Sequence, residues 1–179
     1  MARPGALAYT AWVVHIVYYP DPVLQRRAAE VEAVGPELAA FAAKMLVCMQ
    51  EASGVGLAAP QVGRSIRLFV ASQTGEPADG MVFLNPRIEP FGPIVELEEG
   101  CLSLPGIRAD IRRTESVRLA FTDLEGEART AEFGGLLARI VQHECDHLDG
   151  VLFFERMQET DRLRCRPDLL ALEEQFQPR

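Results

Sequence analysis

No stretch of this sequence approaches the ~18–20 uninterrupted apolar residues that carry a helix across a bilayer, so no membrane span is expected. Paired cysteines are also missing: the four stand at 48, 101, 145 and 165, with no C-x-x-C. A chain of 179 residues buries its own core without covalent staples, so the thiols are expected to be reduced, as in a cytoplasmic protein. Positive charge is scarce too, with 18 Lys and Arg against 26 Asp and Glu and a net charge of −8. That balance argues against a surface that coats nucleic acid. Gly5 to Val14, behind the single Arg3, faintly resembles the apolar core of a signal peptide. It lacks a clear small-residue cleavage site and runs straight into "HIVYYP", so it is not read as one.

The composition, 48% apolar and 25% charged, is that of one soluble globular domain. "IVYYPDPVL" (16–24) is a short β-rich run stopped by a P-D-P turn. Pro36 suits an early helical position, and Leu38, Phe41, Ala42, Met45, Leu46 and Met49 recur at helical spacing until Ser53-Gly54 ends the helix. From Ile66 to Phe133 the chain reads as short strands broken by Gly, Pro and Asp-Leu-Glu-Gly. Leu136 to Leu148 is a second helix, and Asp168 to Phe176 a third, short one. One early helix, many strands and a late helix give an α+β class, with antiparallel or mixed sheets packed on a central helix.

That central helix carries "QHECDHLDG" (142–150). Residues at i, i+4, i+7 and i+11 share a face, which groups Leu136, Ile140, His143 and His147. Two histidines four apart around Glu144 hold a metal next to a general base. A third ligand is needed. The longer protease pattern H-E-x-x-H-x-x-G-x-x-H would place a histidine where Phe153 stands, so that route is closed. A distant carboxylate, from Glu155, Glu159, Glu173 or Glu174, remains open, and His15 is the only other imidazole.

Cys101 in "EEGCLSLPG" is the better candidate, because a thiolate binds transition metals strongly and a glycine beside it lets backbone approach a bound group. Cys48 lies within the first helix and reads as a small buried hydrophobe. Cys145 points ~200° away from His143 around the helix, and Cys165 lies in a polar tail. The third element is "GVGLAAPQVG" (54–63), a tight segment whose backbone can approach a ligand. It lacks the G-K-[ST] of a phosphate loop, and Gln61 is its only neutral side-chain donor. On its own it reads equally as a connector.

Taken together, "GVGLAAPQ", "EGCLS" and "QHECDHLDG", in this order, resemble the three signature motifs of the peptide deformylase family, and the likeness runs from Ile16 to Met157. This divides the chain into an N-terminal extension (1–15), a catalytic domain (16–157) and a C-terminal tail (158–179). The resemblance implies a metal-dependent hydrolase that removes the formyl group from the N-terminal methionine of nascent polypeptides and releases formate. It implies Cys101, His143 and His147 as ligands of one divalent ion, with water or hydroxide as the fourth. The expected metal is Fe²⁺, sensitive to oxidation, with Ni²⁺, Co²⁺ or the poorer Zn²⁺ as substitutes. Glu144 would handle the water proton, and the Gln61 amide with the Leu102 backbone N–H would receive the oxyanion. Val55, Gly56, Leu97, Gly100, Arg108, Leu136 and Ile140 would contact the substrate. In some family members a C-terminal helix docks on the ribosome. Here the basic cluster Arg162, Arg164 and Arg166 is expected on a solvated helix packed on its own domain. A metallopeptidase with a glutamate third ligand, and a metal-stabilised binding protein without turnover, are the rival readings.

Overall fold

The structure, a computed structural model, describes residues 14–177. Most of the N-terminal extension, and with it the apolar run at 5–14 up to residue 13, lies outside the described residues. Three α-helices, α1 (Pro36–Glu51), α2 (Gly135–Leu148) and α3 (Glu159–Gln175), surround five strands. These are β1 (Gly56–Ala58), β2 (Leu68–Ala71), β3 (Met81–Cys101), β4 (Leu104–Thr122) and β5 (Ala128–Gly134). They form one sheet in sequence order, with every neighbouring pair antiparallel. The expected α+β arrangement is therefore present.

Alternation in the short strands explains why helices cover both faces. On β2, Phe69 and Ala71 pack with the α2 residues Ala138, Val141, Cys145 and Leu148. Leu68 and Val70 face the other way, onto Phe41, Met45 and Met49 of α1. All four β2 residues are buried, as expected of a strand sandwiched between helices. Phe83 anchors the α2 side, with Phe69 stacked on it at 4.7 Å between centroids and Phe121 edge-on at 4.8 Å.

Some elements differ from the sequence reading. "MVFLNPRIEPF" and "IVELEEGCLSL" are not two strands but the single 21-residue β3: Pro86, Gly92 and Pro93 fall at register shifts between Leu84/Arg87 and Phe91/Ile94, while Pro90 stays in register opposite Val117. "GVGLAAPQVG" is more than a connector: it contains β1 and a 3-10 turn at Ala59–Val62. The 16–24 run is no strand. Val17 N–H donates to the Gln61 carbonyl and Tyr19 N–H to the Ser103 carbonyl, 2.7 and 2.9 Å, without a ladder. The third helix starts at Glu159, not at Asp168, and passes through Pro167. Cys165 is not in a polar tail but 2% exposed, packed with Ile107, Ile111 and Phe153.

Candidate functional site

Two neighbouring stripes of α2 divide the work. Ala138, Val141, Cys145 and Leu148 bury into the sheet, while the adjacent Leu136–Ile140–His143–His147 stripe runs from an exposed end to a buried one. Leu136 is 50% exposed and His147 1%. The histidines thus stand where the helix meets the tip of the β3–β4 hairpin, whose last β3 residue is Cys101. The donor atoms of Cys101, His143 and His147 all lie within 4.8 Å of one another, the one such cluster among the described residues.

Whether these groups suit a metal can be tested on their geometry. The Cys101 Sγ and His147 Nε2 atoms are 3.2 Å apart, and two ligands on one tetrahedral ion, at ~2.3 and ~2.0 Å from it, stand roughly 3.5 Å apart. His143 turns its Nδ1 to Glu99 Oε2 at 3.1 Å, which leaves Nε2 for the cluster. Two buried polar atoms, Glu144 Oε2 and His147 Nδ1, have no hydrogen-bond partner, which is unusual for a packed interior. One thiol and two imidazoles form a donor set for a borderline transition metal rather than for Mg²⁺ or Ca²⁺. The residues fit a resident divalent ion.

The rival third ligands are elsewhere. His15, Glu155, Glu159, Glu173 and Glu174 are all exposed. Glu155 Oε1 accepts from Leu152 N–H at 2.8 Å, and Glu173 accepts from the Tyr19 hydroxyl. Phe153, at the position of the missing protease histidine, is 1% exposed and sits 6.2 Å, ring to ring, from His143. Cys145 is a core thiol whose pKa burial pushes up.

The cluster opens into a cavity of about 620 Å³. Glu144, Gln61 and Leu102 line it, as do Val55, Gly56, Gly100, Arg108, Leu136 and Ile140. Leu97 is the exception among the predicted substrate residues: it is 53% exposed and does not line the cavity. It lies one pleat beyond Glu99 on the same face of β3, at the rim rather than in the wall. Gln61 is 1% exposed and its amide is fixed at both ends. Oε1 accepts from Ala58 N–H at 2.8 Å, so Nε2 points to Ser103 Oγ at 3.3 Å and Cys101 Sγ at 3.5 Å. Leu102 and Ser103 form the two-residue turn between β3 and β4, which puts the Leu102 N–H outside the ladder.

Beneath the cluster lies a network absent from the sequence reading. Glu99, 7% exposed, receives Arg113 Nε at 2.7 Å, Arg139 Nη1 at 2.6 Å and the His143 ring. Arg113 continues to Asp146 at 2.8 Å, and Asp146 to Arg156 at 2.6 Å. Burial works to raise the Glu99 pKa, but the hydrogen bonds and charges of His143 and Arg113 outweigh it and hold the carboxyl at about 2. For Glu144 burial wins over the cations and pushes its pKa up to about 7. Glu99 stands two residues before Cys101 on β3, which places it on the same strand face as the thiol.

Comparison with known proteins agrees with the motif order. The family model described as polypeptide deformylase matches residues 13–163. A peptide deformylase of Chlorobium limicola is 45% identical over 164 residues, covering 89% of each chain. The chloroplastic/mitochondrial peptide deformylase 1B of Arabidopsis thaliana is 40% identical over 165 residues, 90% of this chain and 60% of the relative. The crystal structure of a peptide deformylase from Plasmodium falciparum superposes with a TM-score of 0.86 at 38% identity, covering 89% of this chain and 95% of that one. With model, relatives and structure in agreement over nearly the whole of the described residues, the chain belongs to the polypeptide deformylase family.

Proposed function

We propose that the protein hydrolyses the N-formyl group of formyl-methionyl nascent peptides, in the cytoplasm, with Cys101, His143 and His147 holding one Fe²⁺. The observation that carries this reading is that Cys101, His143, Glu144 and Gln61 line one cavity, with His147 buried beside the thiol. When bound, a divalent ion there lowers the pKa of a coordinated water and polarises a carbonyl oxygen.

The chain's own groups would do the rest. Glu144 takes a proton from the attacking water and returns it to the departing amine nitrogen. Burial raises its carboxyl above the ordinary carboxylate range, the direction that favours a group that carries a proton. The tetrahedral oxyanion needs donors aimed in advance; Gln61 Nε2 is oriented by the Ala58 bond to its Oε1, and Leu102, whose N–H would be the second donor, lines the same cavity. The formyl carbon–nitrogen bond breaks, so the products are formate and a peptide with a free amine. Ile140 and Leu136 supply the apolar wall for the methionine side chain, and Gly56 and Gly100 let the peptide backbone approach. Arg162 donates to Glu155 O and Arg164 to Asp161, at 3.0 and 2.6 Å, which supports a solvated α3 packed on its own domain.

The test is formate release from formyl-Met-Ala by anaerobically purified, Fe²⁺-loaded protein, beside Glu144→Ala and an internally cleavable peptide. Formate from the wild type alone supports the proposal. Equal silence of both proteins while they hold metal, or cleavage of the internal bond, overturns it.

A further inference from the structure

Next to the catalytic cavity is a second, of about 400 Å³, between the N-terminal segment and the C-terminal end of α3. Tyr18 and Pro105 line both cavities, so they form a shared sill. Leu172 and Phe176 give it apolar lining on the α3 side, and Gln175 and Asp21 add polar groups. Tyr18 stands 52% exposed on the sill. Tyr19 behind it is tied by its hydroxyl to Glu173 of α3, which fixes the two walls to each other.

The sill is close to the reactive end. Leu104 pairs with Cys101 across the hairpin, and Pro105 is the next residue. An extended peptide advances ~3.3 Å per residue, so a substrate held at Cys101 by its formyl group needs only a few further residues to cross it.

We propose that this second cavity is a subsite for an apolar side chain from a downstream residue of the same peptide substrate. The inference rests on the deformylase reading above. Leu172 and Phe176 supply the contact, and Tyr18 and Pro105 carry the backbone across. Asp21 in the lining and Glu173, bonded to the lining Tyr19, make the slot hostile to an acidic side chain. The cavity would thus read sequence beyond the first methionine.

The experiment is a peptide series on the Fe²⁺-loaded holoenzyme. Leucine, aspartate or lysine is placed at the third, fourth or fifth position of formyl-Met-Ala-Ala-Ala-Ala, with formyl-Met-Ala as reference. At one position leucine should exceed aspartate about tenfold in kcat/KM, mainly through KM, as expected for burying one apolar side chain. Gln175→Trp, which fills the slot from an exposed helix end, should bring that leucine-to-aspartate ratio close to one. Calorimetric binding of the matching deformylated peptides should show the same preference without turnover. A flat series, a ratio that survives Gln175→Trp, or lysine preferred over leucine overturns the subsite. No formate from formyl-Met-Ala itself would instead sink the deformylase reading, and the subsite with it.

Discussion

Gly56 and Glu144 touch so closely that a β-carbon added to the glycine would stand 2.3 Å from the carboxylate Oε1 and 2.8 Å from Ile140 Cγ2. The backbone of β1 is therefore one wall of the pocket that positions the proposed proton carrier. Gly56→Ala would force the carboxylate to move. A displacement of about 1 Å at a reacting group costs on the order of 100-fold. We expect kcat/KM for formyl-Met-Ala to fall by that order while metal content stays unchanged. Full activity in the alanine variant would show that Glu144 does not work from this position.

Glu99 is expected to matter for both fold and metal. Its carboxylate neutralises Arg113, with side chains 6% and 5% exposed, and orients the His143 ring. Glu99→Ala leaves the buried Arg139 guanidinium without its acid and Arg113 with Asp146 alone, a loss of roughly 3 kcal/mol. Loss of the partner behind a ligand weakens metal binding by about 10–100-fold. Urea unfolding and a competitive metal titration read the two effects separately. Unchanged affinity would mean that Glu99 supports the fold alone.

Tyr19 offers a pH signature away from the cluster. Burial, then the hydrogen bond and charge of Glu173, push its phenol up to about 12 from an ordinary 10. Because the folded value lies above the unfolded one, the contribution is complete below pH 10 and is lost as pH rises through about 12. An ultraviolet titration should show one phenolate appearing late, and Tyr19→Phe should remove that step. If Tyr19→Phe instead removes a step at the ordinary tyrosine value, α3 does not hold the ring.

Cys101→Ser separates the thiol reading from a carboxylate one. The Co²⁺-loaded wild type should show a near-ultraviolet sulfur-to-metal charge-transfer band that the serine variant lacks. Metal affinity should also fall, whereas Glu155→Gln and Glu173→Gln leave both readouts intact. A band that persists in Cys101→Ser would assign the sulfur elsewhere.

The two helices nearest the site were readable because apolar spacing and terminal residues agree. Pro36 opens α1, and Leu136 to Leu148 matches α2 to within one residue. Cys101 was readable by chemistry, since Phe153 removed the obvious third histidine. Glu99 was not, because an acid in a charged strand normally faces water, and only the fold brings Arg113 and Arg139 onto it. The continuity of β3 was hidden by Pro86, Pro90 and Pro93: register shifts take up Pro86 and Pro93, and Pro90 stays paired opposite Val117. Three-residue β1 is too short to show alternation. The polar first half of α3, with Pro167 inside it, gave no helical stripe. Leu97 was placed in the wall from the family likeness alone, and its own strand leaves it at the rim.

The turn at Leu102-Ser103 closes a hairpin of two strands, 21 and 19 residues long. Cys101 and Glu99 project from the same side of one arm. A slip of one residue in their pairing would turn both away from α2 together, since side chains alternate. Sulfur ligation and the support of His143 would vanish in one step, with most backbone hydrogen bonds re-formed. Metal retention is therefore a gauge of strand alignment: a chain that folds compactly but one residue out of step would fail to hold its ion, and a chelator challenge would sort the two populations.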